Sequence, residues 1–387
     1  MSDVVPKNEL TDRLLRTKRP VQFTKPFFPP HVAEEVARDV RTILESGQLI
    51  NGPFCAELER QLTAYHQRER AAAVSSCTTA LQICLQFLDL RGGEILVPAA
   101  AFTTDVSAVK WAGGTPVLVD MDPATFSFDL ADLRRKLTKR TRALIWVHLA
   151  GMISTAWSDI VAFAREHNLF LIEDCAHALG ATISGSRAGS FGDAACFSFY
   201  PTKIITSGTG GAIVTDNEKL DRYAREIRYF GRENGTGRVV REGNDWLLDE
   251  VRAAIACAQF RQLDDLLQRR HAVAARYDEA LHGLNHIELV MRGKGDPSYY
   301  HYTVLLPSIA MREQLSAYLS KNFGIPSRPI YPAIQEEIVF HDLADASLKS
   351  AASGLARSLC LPIHPAMSHD DVDWIAGCVR AGLASVS

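Results

Sequence analysis

From about residue 71 the chain alternates short apolar runs with amphipathic stretches. AAAVSS, EILVPA, TPVLVD, RALIWVHL, LFLIED and ACFSFY each have the length and apolar content of a buried strand. Between them SCTTALQICLQFL, TDVSAVKWA, DLADLRRKL and SDIVAFAREHN carry helical spacing, so the order reads βαβα and predicts an α/β fold with a mostly parallel central sheet. Sheets of that kind bind ligands outside the carboxyl ends of their strands. Upstream, Val32, Val36, Val40, Ile43 and Leu44 share one face of a predicted helix that Gly47 is placed to end.

Beyond the sheet the pattern loosens. The tract 228–244, RYFGRENGTGRVVREGN, is polar, glycine-bearing and long enough to be a functional loop. One long helix is expected from about Leu248 through Arg270, with Val251, Ile255, Ala258 and Leu263 on one side. Further on, HYTVLLP reads as a strand and LSAYLSKNFG as a helix. The expected division is a loosely held arm over 1–20, a large α/β domain over 21–271 and a smaller C-terminal α+β domain over 272–387. A chain of 387 residues exceeds the roughly 250–300 at which single cores stop growing, which favours two domains.

Composition narrows the partners. With 47% hydrophobic and 22% charged residues the chain is ordinary globular material, and a net charge of −3 gives no reason to expect nucleic acid. Cysteines at 55, 77, 84, 175, 196, 257, 360 and 378 form no C-x-x-C pair, so neither a metal cage nor a disulfide framework is expected. The first twenty residues lack the apolar core of a signal peptide, and no run approaches the roughly 18 apolar residues of a membrane span. A cytoplasmic protein with reduced thiols and no membrane association is the expectation.

Four segments carry candidate chemistry. In SFGDAACFSFYPTKIITSGTGG an apolar strand delivers Ser198 and Lys203 just before a glycine-rich turn. A lysine after a strand is ordinarily a solvated surface residue, but catalysis through a Schiff base needs a primary amine at a fixed position, and a nearby hydroxyl and glycine-rich backbone can hold a phosphate. LFLIEDCAHALG ends a strand with Glu173 and Asp174, followed by His177. Asp174 could merely meet water or cap a turn; it could also pair with a protonated pyridine nitrogen, with His177 orienting it or touching the ring. In VSSCTTALQICLQFL a helix begins at a strand end, where an ordinary N-cap and a phosphate seat on the Cys77 and Thr78 backbone are both open. Phe102, after the strand of VPAAAFTTDV, is either core or a cover for one face of an aromatic ring.

The order of SSCTTAL, VPAAAFTT, VDMDPATFSFD, VHLAG, IEDCAHALGA, GSFGDAACFSFYPTK and GTGG resembles the DegT/DnrJ/EryC1/StrS aminotransferase family, over roughly residues 20–380. The resemblance implies a fold-type-I pyridoxal-phosphate enzyme, aspartate-aminotransferase-like, that aminates keto sugars on nucleotides, or cyclitol ketones, with glutamate the usual donor. It implies a homodimer with shared active sites. Lys203 then matches the lysine that carries the cofactor, Asp174 the pyridine-nitrogen partner, Phe102 the stacking residue and His177 the Gln or His near the ring hydroxyl. Ser198 and the Cys77–Thr78 backbone match the phosphate site.

Departures from the family pattern are specific. Cys77 stands where glycine is usual, Ile204 where asparagine follows the lysine, and Thr209 where the glycine-rich turn has glutamate. In GNDWLLDE, Asp245 falls in register at the family's asparagine and Leu247 at its arginine, with Asn244 available after a one-residue shift. Either Asn244 or Asp245 is the candidate to reach a neighbouring subunit's phosphate. The expected activity is transfer of an amino group to a nucleotide-linked 4-keto-6-deoxyhexose. Its rivals are another pyridoxal-phosphate reaction on a sugar, whose dehydratase version has histidine where Lys203 stands, and a non-catalytic binding module.

Overall fold

The computed structural model describes residues 11, 14–17, 19–290 and 295–386. Its centre is a seven-stranded sheet. The strands are β1 (Arg70–Val74), β2 (Glu94–Pro98), β3 (Thr115–Val119), β4 (Thr141–Val147), β5 (Phe170–Asp174), β6 (Ala194–Ser198) and β7 (Gly211–Thr215), in spatial order β1-β7-β6-β5-β4-β2-β3. Strands β3, β2, β4, β5 and β6 run parallel, while β7 is antiparallel to both of its neighbours. The six apolar runs of the sequence are β1 to β6. The seventh strand, GAIVT, lies inside the glycine-rich tract and is not among the predicted runs, because glycine is depleted in strands and masks the pattern there.

The α-helices between residues 30 and 281 are α1 (Pro30–Ser46), α2 (Pro53–His66), α3 (Cys77–Phe87), α4 (Thr103–Trp111), α5 (Leu130–Lys136), α6 (Trp157–Glu166), α7 (Glu218–Ile227), α8 (Glu250–Arg261) and α9 (Leu263–Leu281). Side chains alternate across a strand, so the sheet builds a core on each face. Ile95, Val97, Ile145, Ile172 and Ile213 face α3, α4 and α7, whereas Leu96, Leu144, Trp146, Leu171 and Phe197 face α2, α6 and α8. The edge strand β1 leaves outward backbone groups that would otherwise need water or a foreign strand. They are met by side chains: Glu59 accepts the Ala73 N–H at 2.9 Å, and Arg225 and Arg228 donate to the Ala71 and Ala73 carbonyls at 2.7 and 2.6 Å.

Some expectations change. Helix α1 ends at Gly47 in the left-handed conformation, φ 69°, as its sequence suggests. Its buried face is narrower, since Val32 and Ile43 are enclosed while Leu44 is 63% exposed. The single helix expected from Leu248 to Arg270 is two, broken at Gln262, and the second continues to Leu281. Small residues Ala253, Ala254, Ala256 and Cys257 are all buried, so α8 has no single apolar stripe from which its end could be read. Helix α9 runs unbroken through residues 271 and 272. Its first half packs Leu263, Leu266 and Leu267 on the large sheet's core, and its second half packs Val273, Ala274, Tyr277 and Leu281 on another.

That second core lies over a three-stranded sheet of β8 (Glu288–Leu289), β9 (Tyr302–Leu305) and β10 (Ser358–Leu361). Helices α10 (Ile309–Tyr318), α11 (Lys349–Arg357) and α12 (His369–Val386) complete this region. Most of the expected N-terminal arm lies outside the described residues; of its described part, Leu14 is buried and its carbonyl accepts the Trp374 indole N–H at 3.1 Å. None of the described helices is long and apolar enough to cross a membrane. The tract 228–244 is anchored at its start, where Arg228 is buried and paired with Glu59 at 2.6 Å, and is exposed over 232–244.

Candidate active site

Three strand ends and one helix start meet at one cavity. Strand β1 leads directly into α3, whose N-cap Ser76 accepts the Thr79 N–H at 3.1 Å. The Cys77 and Thr78 N–H groups come first in the helix and have no intrahelical acceptor, so they and the helix dipole favour an anion there. Gly211 is what lets β7 approach: a Cβ on it would sit 2.4 Å from the Ser76 carbonyl carbon and 2.5 Å from the Cys77 nitrogen. Ser198, paired with Gly211 at the end of β6, brings its hydroxyl to the same place.

The cavity measures about 640 Å³. Cys77, Thr78, Phe102, Asp174, His177, Ser198 and Lys203 all line it, so the seven residues named from sequence are brought together. The Lys203 amine lies 3.4 Å from the Tyr300 hydroxyl and 4.5 Å from the centre of its ring. Asp174 accepts the Ala176 N–H at 2.8 Å and has the Cys77 sulfur 3.7 Å away. Burial, and then the charge of Asp174, push the Cys77 thiol well above its ordinary range, so it stays protonated.

His177 stacks on Tyr300 at 4.0 Å between centroids, and its Nε2 lies 3.0 Å from the Tyr331 hydroxyl. Burial, then the nearby Lys203 amine, hold this imidazole well below its usual range and leave it neutral. Its Nδ1 is buried without a partner among the described residues. Phe102 caps α4, is 47% exposed, and meets Tyr331 at 5.3 Å between ring centroids. A flat aromatic ligand with an anionic group fits these residues: a helix start with the Cys77 and Thr78 N–H groups left over, an exposed phenyl face, a buried carboxylate and an amine share one enclosed space.

Sequence reasoning missed Tyr300, Tyr331 and Arg328, which also line the cavity. They come from the segments 298–301 and 325–332, where the pattern is irregular and offers no periodic signal. Glu173, next to Asp174, points to the other face of the sheet. It accepts from Gly189, Phe191 and Gly192 N–H groups at 2.7–2.8 Å and lies 2.8 Å from His148 Nε2. Burial alone would raise this carboxyl, but His148 and those N–H groups hold it below its ordinary value. His148, Glu173 and Cys175 bring ligand-type atoms within 4.8 Å of one another, yet Glu173 is already fully engaged as a clamp on the 189–192 turn.

The departures are placed as follows. Ile204 is buried, and Thr209 accepts a hydrogen bond from Arg252 at 2.8 Å. Asn244 and Asp245 are exposed and neither lines the cavity of its own chain. Leu247 bridges to Val74 at the end of β1.

The sequence profile of the DegT/DnrJ/EryC1/StrS aminotransferase family matches residues 30–380. The chain belongs to that family. GDP-perosamine synthase from Caulobacter vibrioides is 35% identical to this aminotransferase over 334 residues, covering 84% of this chain and 88% of that protein. A UDP-N-acetyl-3-dehydro-alpha-D-glucosamine 3-aminotransferase from Acidithiobacillus ferrooxidans is 32% identical over 371 residues, covering 95% and 98%. Spr1654 from Streptococcus pneumoniae, solved in its PMP form, matches with a TM-score of 0.88 at 25% identity, covering 95% of this chain and 100% of that one. The chain is a sugar aminotransferase of the fold-type-I class, and its cofactor is pyridoxal phosphate.

Proposed function

We propose that this aminotransferase moves an amino group from glutamate to a 4-keto-6-deoxyhexose carried on a nucleoside diphosphate, with Lys203 as the residue that binds the cofactor and moves the proton. The observation that carries the assignment is the gathering of all seven sequence-derived residues, with the Lys203 amine, around one cavity. Pyridoxal phosphate, when bound, supplies a carbonyl carbon that captures amines and a ring that withdraws electrons from them. The chain's own groups do the rest. Lys203 Nζ is placed to take a proton from the donor's Cα and to return it to the carbon two bonds away, acting as base and then acid. Asp174 holds a proton at the pyridine nitrogen. Phe102 covers the ring, while the Cys77 and Thr78 N–H groups and the Ser198 hydroxyl hold the phosphate.

Neutral His177, fixed by Tyr331, is suited to a hydrogen bond near the ring hydroxyl and adds no charge. Arg328 is the second cation lining the cavity, and no carboxylate pairs with it among the described residues. It is suited to the donor's carboxylate. The working form is proposed to be a homodimer: Phe102, Tyr200, Phe230, Val239 and Val240 are large apolar side chains left exposed, and the tract 228–244 has no core of its own. Asn244 or Asp245 of a second copy would then reach the phosphate. We place the protein in the cytoplasm.

Mass spectrometry tests the reading. The enzyme with pyridoxal phosphate and glutamate is offered a panel of nucleotide-linked keto sugars and cyclitol ketones, and a nucleotide-linked amino sugar is the expected product. An aminated cyclitol would replace the acceptor class, and a colourless protein that takes up no added cofactor would favour a binding module. Light scattering that finds a fully active monomer at micromolar concentration would remove the dimer.

A further inference from the structure

Asp105 is an acidic residue in an unusual place. An aspartate in the first turn of a helix ordinarily points its carboxylate at free N–H groups and water, where the dipole favours the charge. In α4 the side chain of Asp105 is instead fully buried, and among the described residues neither of its oxygens accepts a well-formed hydrogen bond, the Phe102 N–H being the one donor in its vicinity. The groups that face it are the Asp174 carboxyl from β5, at hydrogen-bond contact, the Cys77 thiol from the start of α3 and the Lys203 amine that follows β6. Two carboxylates enclosed side by side cannot both stay ionised. Asp174 is the one supplied with an N–H at 2.8 Å, while for Asp105 the Phe102 backbone N–H and the charge of Lys203 are outweighed by burial and by its acidic neighbour.

We propose that Asp105 carries a proton at neutral pH and donates it in a hydrogen bond to Asp174, so that a protonated carboxyl behind the pyridine-nitrogen partner keeps that partner ionised and fixed in orientation. Asp105 is thereby a positioning residue, acting through Asp174 without touching the cofactor. The direction of its titration agrees: burial, then the charge of Asp174, push the Asp105 carboxyl well above its ordinary range. The catalytic consequence rests on the assignment of Asp174 to the pyridine nitrogen, but the proton itself does not.

Infrared difference spectroscopy of the holoenzyme against Asp105→Asn reads the proton directly. A carboxylic-acid C=O stretch that is lost in the variant and moves in deuterated buffer is expected; its absence overturns the proposal. The second measurement is the pH titration of the bound cofactor's absorbance. Asp105→Asn, whose amide still donates to Asp174, is expected to titrate as the wild type does, and Asp105→Leu, which cannot donate, is expected to shift the titration and lower kcat about tenfold with little change in KM. A wild-type titration in Asp105→Leu overturns the link to Asp174. Should that variant fail to fold, the infrared band and a third readout still decide. The folded wild type binds a proton that the unfolded chain has released, so its stability falls as pH rises above the ordinary carboxylate range. The Tm of Asp105→Asn relative to wild type is therefore expected to climb from about pH 5 to about pH 8, and a constant difference overturns the proposal. If Asp174→Asn leaves the cofactor's spectrum unchanged, the pyridine-nitrogen assignment fails, while the infrared band still reports on Asp105 independently.

Discussion

The wall of the cavity built from the large sheet and the wall built from residues 298–332 are made by different rules. On the sheet side, Asp174, Ser198 and Phe102 sit at or just past strand ends, and their direction follows from strand periodicity and the next helix start. On the other side, Tyr300 precedes β9 and Arg328 and Tyr331 belong to an irregular segment; they reach the cavity because the C-terminal region docks there. The first wall carries the groups proposed to bind the cofactor and do the chemistry. The second carries a phenol pair and a cation, which suits it to holding and choosing what enters. On that division, substitutions on the sheet side are expected to lower kcat and those on the docked side to raise KM.

Lys203 gives the largest expected effect. Lys203→Ala is expected to retain pyridoxal phosphate through Ser198, Phe102 and the start of α3, yet to lose the glutamate half-reaction by roughly 10⁴-fold or more, since both the leaving amine and the proton carrier are gone. Borohydride treatment of the wild type, followed by peptide mapping, is expected to find the reduced cofactor on Lys203. An adduct on Lys110 or Lys219, or near-normal transamination by the variant, would dismantle the assignment of both walls.

Asp174 and Glu173 divide the same question more finely. Asp174→Asn leaves the fold intact and is expected to cost about two to three orders of magnitude in kcat, in line with the roughly 2–5 kcal/mol lost when one member of a buried charge pair is removed. Glu173→Gln acts on the other side of the sheet, where it loosens the clamp on Gly189, Phe191 and Gly192 and so lowers Tm more than it lowers turnover. Stopped-flow kinetics and thermal melts on both variants check this. Equal kinetic losses would mean that the two strand faces are not functionally separate.

The legibility of the two walls has a physical cause. Strands β1 to β6 were readable because five to seven apolar residues in a row between amphipathic segments have few other folds, and a residue at the end of such a run has a known address. Residues 77, 102, 174, 198 and 203 inherit theirs from that rule. Strand β7 escaped because its flanking glycines look like a turn, and the break at Gln262 escaped because α8 is lined with alanine on several sides. For Tyr300, Arg328 and Tyr331 no local pattern exists: PSYYHYT and PSRPIYP do not distinguish residues facing a cavity from residues facing solvent. Asp105 was hidden for a further reason, since nothing in TTDVSAV separates a helix-start aspartate that meets water from one enclosed against a second carboxyl.

Arg328 tests the docked wall by its charge. With its guanidinium over the Phe23 ring at 4.6 Å and exposed at the cavity's rim, Arg328→Gln removes the cation without disturbing a buried contact. The KM for glutamate is expected to rise about 10–100-fold, the roughly 1.5–3 kcal/mol of a hydrogen bond to a charged group, with kcat changed much less. Arg328→Lys should recover part of that, because a point charge remains but the two-pronged geometry does not. A fall in kcat with an unchanged KM would move Arg328 from the binding wall to the chemical one.

The smallest effect is expected at the seam, where the two walls touch through the Tyr331 hydroxyl and His177 Nε2 at 3.0 Å. Burial first, and then the neighbouring Tyr300, push the Tyr331 phenol well above its ordinary range, so it remains a proton donor, and a neutral His177 can accept at Nε2 while presenting N–H at Nδ1. Tyr331→Phe keeps the ring beside Phe102 but deletes that donor, leaving the tautomer of His177 unfixed. The cost of one neutral hydrogen bond is about 0.5–1.5 kcal/mol, so kcat/KM is expected to fall roughly two- to tenfold. Because His177 is neutral in both proteins, the pH profile between about 6 and 8 should keep its shape while its height drops. A new inflection in that range would show His177 taking up a proton once Tyr331 no longer donates to it, and the phenol would then be setting the charge of the sheet-side wall rather than only its orientation.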